Sequence, residues 1–214
     1  MRLKGAIFDL DGTLVNTMPI CIGGFREVFR TYVGRDYSDE EIHATFGPSE
    51  EGSFQRAIPD SWEEGLRLYL HVYEAMHDSC TAPFEGLLPL LERLKANGVR
   101  LAIVTGKGAG SAEISLRYTR LNPLFERVET GSTTGSVKAI QIRAIAEEWG
   151  FLPTEVGYLG DMASDMRIAR EANVLALGAC WANSADITQI EALHPDANFR
   201  TVQAFWDWLQ LPQG

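Results

Sequence analysis

Ten residues near the start of the chain, Gly5-Ala6-Ile7-Phe8-Asp9-Leu10-Asp11-Gly12-Thr13-Leu14, constrain its fold more than any other stretch. Ala6-Ile7-Phe8 has the unbroken apolar character of a strand buried on both faces of a parallel sheet. Two carboxylates follow at once, Asp9 and Asp11, and Gly12 then permits a sharp turn. Open α/β sheets bind ligands at the C-terminal ends of their strands. Unpaired charge is costly to bury, so two acids at such a tip require a cation, a reaction, or both. An Asp-Gly pair alone is ordinary turn chemistry, and partners elsewhere in the chain must decide between the two.

After Leu14 the strand rhythm stops. Residues 15–82 read as helices joined by polar turns. Phe25, Val28, Phe29 and Tyr32 recur at helical spacing, as do Leu66, Tyr69, Leu70, Val72 and Tyr73. Ser38 and Glu41 have the form of a capping box, and the aromatics of this block read as core. Alternation resumes after Pro83. A helix at 87–96 is stopped by Asn97-Gly98, and a strand at 99–104 runs into Thr105-Gly106-Lys107-Gly108. A helix at 109–120, a short segment at 125–128 and a helix at 137–149 stopped by Gly150 come next. A strand at 156–159 ends in Gly160-Asp161, a helix closes at 168–172, a strand spans 174–177, and an amphipathic helix spans 204–209. Alternating strands and helices predict an α/β fold, a doubly wound parallel sheet with right-handed crossovers. Its core would be 1–14 and 83–214, with a helical insertion at 15–82.

A chain of 214 residues can form one good core plus a small inserted domain. The net charge of −10 argues against nucleic acid as a partner, since general nucleic-acid binders carry a basic face. No apolar run approaches membrane-spanning length, and the opening segment reads as a strand rather than a signal peptide. Cys21, Cys80 and Cys180 are odd in number and widely spaced, which suits a reduced, cytoplasmic protein.

In the predicted sheet, three strand ends face one crevice: Asp9 and Asp11, then Thr105, then Asp161 with Asp165 just beyond. Four acids cannot all be ionised there without a compensating cation. Hard carboxylate oxygens without nearby Cys or His favour magnesium over zinc. Thr105 and Gly106 would present a hydroxyl and bare amides suited to phosphate oxygens. Taken singly, Thr105 could be an ordinary strand residue, Lys138 a solvated helix lysine, and Asp161 with Asp165 a cap and a surface acid.

Taken together, these motifs resemble, in order, those of the haloacid dehalogenase-like hydrolases, most of which are phosphatases. Asp9-Leu10-Asp11-Gly12-Thr13 is similar to their D-x-D-G-T signature, and Gly160-Asp161-Met162-Ala163-Ser164-Asp165 to their G-D-x-x-x-D motif. Thr105 resembles the second-motif hydroxyl and Lys138 the third-motif lysine. The insertion lies where the superfamily carries a helical cap, and Pro83-Phe84-Glu85-Gly86 resembles the element that re-enters its Rossmann-like core. The subgroup it most resembles holds phosphoglycolate phosphatase-like and pyrophosphatase-like enzymes. The resemblance implies that Asp9 attacks phosphorus to form an aspartyl phosphate, and that Asp11 is the general acid and base. It implies Mg2+ held by Asp9, Asp11 through its backbone carbonyl, and Asp161, with Asp165 in support. It further implies that Thr105, Gly106 and Lys138 bind the substrate phosphate.

Some positions depart from the pattern. Ala139 follows Lys138 where many relatives have proline, and Lys107 is its rival for the phosphate site. Gly106 stands where many have asparagine, and Asn16 where many have an acid. The chain has only four lysines, at 4, 95, 107 and 138, so the insertion lacks the Schiff-base lysine of phosphonatases. Asp11 favours an oxygen leaving group over halide. Phe46-Gly47-Pro48 resembles the cap loop that faces the site and is equally well a plain turn, while His43 and Arg56 beside it read as surface or packing residues. The insertion carries five arginines against twelve acids, a formal charge of −7, which disfavours highly anionic substrates. The expected protein is a magnesium-dependent phosphatase of a small phosphorylated metabolite, phosphoglycolate or a related compound, acting as a monomer or homodimer. The alternatives are a phosphosugar mutase and a regulator that binds a phosphate ester without turnover.

Overall fold

The computed structural model describes residues 2–80 and 82–210. Six strands, β1 (Gly5–Phe8), β2 (Arg100–Val104), β3 (Arg127–Glu129), β4 (Val156–Gly160), β5 (Leu175–Ala179) and β6 (Ala197–Phe199), form one sheet. Their order is β3-β2-β1-β4-β5-β6 and every pairing is parallel. β1 is therefore central, with Phe8 opposite Ile103 of β2 and Leu159 of β4. This register sets the ends of β1, β2 and β4 side by side.

Side chains alternate between two cores, as a two-sided sheet requires. Ala6, Phe8, Leu101, Ile103, Leu159 and Leu177 belong to one core, and Ile7, Ala102, Val104, Tyr158 and Ala176 to the other. The helices between β1 and β2 are α1 (Met18–Tyr32), α2 (Asp39–His43), α3 (Glu50–Ala57), α4 (Trp62–Met76) and α5 (Leu87–Ala96). α6 (Ala109–Thr119), α7 (Lys138–Trp149), α8 (Ala163–Glu171), α9 (Ile187–Ala192) and α10 (Val202–Leu209) follow. Residues of α5, α6 and α10 enter the first core and residues of α7, α8 and α9 the second, so helices cover both faces.

The α1–α4 layer has an aromatic centre. Phe25 lies 4.8 Å from the Phe54 ring and 5.3 Å from Tyr69, centroid to centroid. A Cβ at Gly24 would run into the Tyr69 ring, so glycine there lets α1 and α4 pack closely. Both halves of the Ser38–Glu41 capping box form. Tyr32 departs from the expected core: it is 37% exposed, at the last residue of α1 where the buried stripe has ended.

α9 and β6 carried no usable signal in the sequence. β6 is three residues long and pairs with β5 alone, so an edge position substitutes for a strong apolar run. Its start is pinned by Asp196, whose carboxylate accepts from Ala176 N at 2.8 Å and whose own N donates to Ala176 O.

Candidate active site

The site grows from the three adjacent strand ends. Asp9 N donates to Leu159 O, carrying the β1–β4 ladder one residue past the strand. The chain then turns through Gly12, at φ +69°, where a Cβ would collide with the Asp161 carboxylate. Glycine here serves both the left-handed backbone and the close approach of Asp161.

Asp9 is buried, 6% exposed. Its Oδ1 accepts from Leu10 N at 2.7 Å and its Oδ2 from Lys138 Nζ at 2.7 Å. Burial pushes the Asp9 carboxyl up to about 6 against the pull of Lys138, with Asp165 and Asp11 adding to the rise. Lys138 opens α7 and also donates to Asp165 Oδ1 at 3.0 Å. Burial opposes its charge, and attraction from Asp165 and Asp9 outweighs that, so the ammonium lies well above the ordinary lysine range.

Asp165 is fully engaged. Its Oδ1 also accepts from Tyr158 OH at 3.2 Å, and its Oδ2 from Met162 N at 3.1 Å. Asp161 is the opposite case. Among the described residues, Oδ1 has Thr13 Oγ1 at 3.4 Å and Oδ2 is buried without a hydrogen-bond partner. Burial raises its pKa well above the aspartate range, and Asp165 and Asp9 push the same way.

Oxygens of Asp9, Asp161 and Asp165 lie within 4.8 Å of one another. Three acids share one ammonium, and one carboxylate oxygen has no partner. That excess of hard oxygen donors fits a divalent cation such as magnesium. Asp9 and Asp161 have the free coordinating capacity, whereas Asp165 is committed to Lys138, Tyr158 and Met162.

The Asp11 side chain lines the same cavity and has partners outside this cluster. Oδ1 accepts from Thr17 Oγ1, and Oδ2 lies 3.4 Å from Lys107 Nζ. Thr105, 1% exposed, sits at the end of β2 with Oγ1 accepting from Lys107 N, and Gly106 follows it into the cavity. Of the two rival lysines, Lys138 is beside Asp9 and Lys107 beside Asp11.

The cavity over these groups has a volume of ≈ 270 Å³ and is roofed by Phe46, Gly47 and Pro48, the turn picked out in the sequence. Exposed His43 packs edge-on against Phe46 at 5.1 Å, and Arg56 donates to Thr134 O. Three contributors escaped the sequence reading: Thr17, Tyr158 and Glu50. Glu50, the first residue of α3, reaches across to α6, where Gly108 N and Ser111 Oγ donate to it. The sequence offered only one acid among twelve in the insertion.

Residues 6–179 match the profile of the haloacid dehalogenase-like hydrolases. The pyrophosphatase PpaX of Bacillus pumilus (strain SAFR-032) is 30% identical over 181 residues, covering 84% of each chain. That of Bacillus cereus (strain AH820) is 27% identical over 198 residues, 92% of this chain and 91% of the relative. Among solved structures, a predicted phosphoglycolate phosphatase from Haemophilus somnus 129pt superimposes with a TM-score of 0.80 at 23% identity, over 100% of this chain and 99% of that one. No helix among the described residues is long and apolar enough to cross a membrane.

Proposed function

This chain belongs to the haloacid dehalogenase-like hydrolases, and from that membership and the site's geometry we propose that it is a magnesium-dependent phosphatase of small phosphomonoesters. The observation that carries the reading is the pairing of Asp9 Oδ2 with Lys138 Nζ at 2.7 Å beside Asp161, whose Oδ2 has no partner. A nucleophilic carboxylate, a phosphate-neutralising ammonium and an unused metal ligand thus share one crevice. The relatives named as pyrophosphatases point to the same class of reaction.

In the proposed reaction an Asp9 oxygen attacks phosphorus in line as the bond to the leaving oxygen breaks. Asp11 gives that oxygen its proton. A water then attacks the aspartyl phosphate, Asp11 takes the water's proton, and the bond between Asp9 and phosphorus breaks. Thr17 and Lys107 hold the Asp11 carboxylate in position meanwhile. Lys138, the Thr105 hydroxyl and the Gly106 amide receive the phosphoryl oxygens, where fixed positive dipoles contribute most to transfer. Asp9, Asp161 and the Asp11 carbonyl would hold magnesium, with Asp165 in support, and the ion would supply charge neutralisation for the phosphoryl group. Residues 15–82 act as a cap that closes the crevice against bulk water. The enzyme works in the cytoplasm as a monomer or homodimer.

The test is phosphate release from a panel of phosphomonoesters with magnesium, with chelator, and with Asp9→Asn. Release that needs both magnesium and Asp9 is the expected result. Turnover that survives chelator or Asp9→Asn would refute the mechanism.

A further inference from the structure

Lys107 is the buried cation that the proposed chemistry leaves without a strong bond. It is 4% exposed, lines the cavity, and its Nζ has no hydrogen-bond partner among the described residues. It lies 3.4 Å from Asp11 Oδ2, 3.5 Å from Glu50 Oε1 and 4.4 Å from the centre of the Tyr73 ring. The other ammonium on the cavity wall, Lys138, is held by Asp9 and Asp165. An anionic group on the non-transferred part of a substrate would therefore turn to Lys107.

Glu50 already stands there. It is 5% exposed, and both of its oxygens are taken. Ser111 Oγ donates to Oε1 at 2.6 Å and Tyr69 OH at 3.1 Å, while Gly108 N donates to Oε2. It is thus a charge held in place by three donors. Glu50 cancels the charge of Lys107, and Asp11 beside them adds a second negative charge whenever it has given up its proton. The ammonium can still donate to an uncharged oxygen, but a third anion would meet like charge at close range. Met18, Phe25 and Phe46 make part of the roof apolar, and His43 lines the cavity beside Phe46.

Resting on the phosphatase reading, we infer that Glu50 determines specificity: it neutralises Lys107 from the cap side, so that the enzyme takes phosphomonoesters whose leaving group is uncharged and discriminates against carboxylate- or phosphate-bearing ones. Phosphoglycolate and pyrophosphate fall on the disfavoured side. Uncharged alcohols of a few carbons, with an oxygen to accept from Lys107, fall on the favoured side. The −7 charge of residues 15–82 acts in the same direction at longer range.

The matched probes are phosphoglycolate and its amide, which share size and shape and differ in one charge. The wild type should hydrolyse the amide with a kcat/KM at least about 10-fold higher. Like charges about 5–6 Å apart at an effective dielectric near 20 correspond to roughly 100-fold, so Glu50→Gln should narrow the ratio by about 10- to 100-fold. Glu50→Asp, which keeps the charge, should preserve the preference. Because the readout is a ratio between two substrates, any general loss of activity cancels. Binding of both esters to Asp9→Asn, measured by calorimetry, reads the same discrimination without turnover and without altering Glu50. Tighter binding of the amide with no phosphate release from the wild type would uphold the inference and refute the phosphatase reading. Equal binding, no binding of either ester, a wild-type preference for phosphoglycolate, or an unchanged ratio in a folded Glu50→Gln would overturn it.

Discussion

Asp161→Asn is expected to stabilise the metal-free protein while removing its response to magnesium. The Asp161 carboxylate is 1% exposed, one oxygen has no partner, and the other has a single hydroxyl at 3.4 Å. A buried polar group left unsatisfied costs about 1–3 kcal/mol, and more when charged. Asparagine removes the charge and can donate its amide to neighbouring acids. A gain of about 2 kcal/mol corresponds to about 4–8 °C in Tm for a protein of this size. The pH dependence follows from the direction of the shift. Burial, then Asp165 and Asp9, raise the Asp161 pKa in the folded state. The wild type therefore loses stability as pH rises from the ordinary aspartate value near 3.9 through the folded value, and the loss persists above it. The advantage of the variant should vanish near pH 4 and grow as pH rises above it, read by thermal denaturation in chelator. Magnesium should raise the wild-type Tm at pH 8 and leave that of Asp161→Asn nearly unchanged. A variant less stable than wild type in chelator at pH 8, or an equal magnesium shift in both, would refute the account of this oxygen as a metal ligand.

Gly12→Ala places a side chain at φ +69° and against the Asp161 carboxylate. It should cost about 1–2 kcal/mol in backbone strain alone, read from urea midpoints, and weaken the magnesium-induced rise in Tm. Lys138→Met leaves Asp9 and Asp165 buried without their cation, so it should lower stability by about 3–5 kcal/mol and phosphate release by at least about 10³-fold. Lys107→Met should retain far more turnover at saturating substrate, and an equal loss in the two variants would refute the assignment of Lys138 to the phosphate site. Glu50 has a lowered pKa: burial raises it, but Lys107, Ser111 and Gly108 outweigh burial. It therefore stabilises the fold above the ordinary glutamate value near 4.3, and that contribution is lost as pH falls through its folded value. The Tm gap between wild type and Glu50→Gln should accordingly be present at pH 6 and narrow as pH falls below about 4.3.

How much of this was legible in the sequence depended on where each interaction was encoded. A parallel sheet converts strand order into proximity, so an acid after one apolar run meets a threonine or acid after another without knowledge of packing. Asp9, Asp11, Thr105 and Asp161 could be read for that reason. Lys138 and Lys107 could not be ranked from local pattern, because both follow segments that reach the same crevice. What separates them is that α7 delivers its first side chain to Asp9 Oδ2, whereas the turn after β2 delivers Lys107 to Asp11.

Glu50 was illegible for a different reason. Its sequence context is that of an acid in the first turn of a short helix, a position where acids are common because they complement the helix dipole. Nothing local distinguishes it from Glu51 beside it. Its character comes from Gly108 and Ser111, which lie 58 and 61 residues away on the other side of the crevice. Those partners meet it only because the roof rests on the core at several points. Ser49 N donates to Ser132 O at 2.8 Å, and Tyr73 OH and His77 Nε2 both reach Ser115 Oγ. The acids proposed for phosphoryl transfer sit at strand ends, where topology brings them together. The selection we infer among leaving groups rests on contacts where roof meets core, which packing sets, so relatives can share every strand-end motif and still differ in what they hydrolyse.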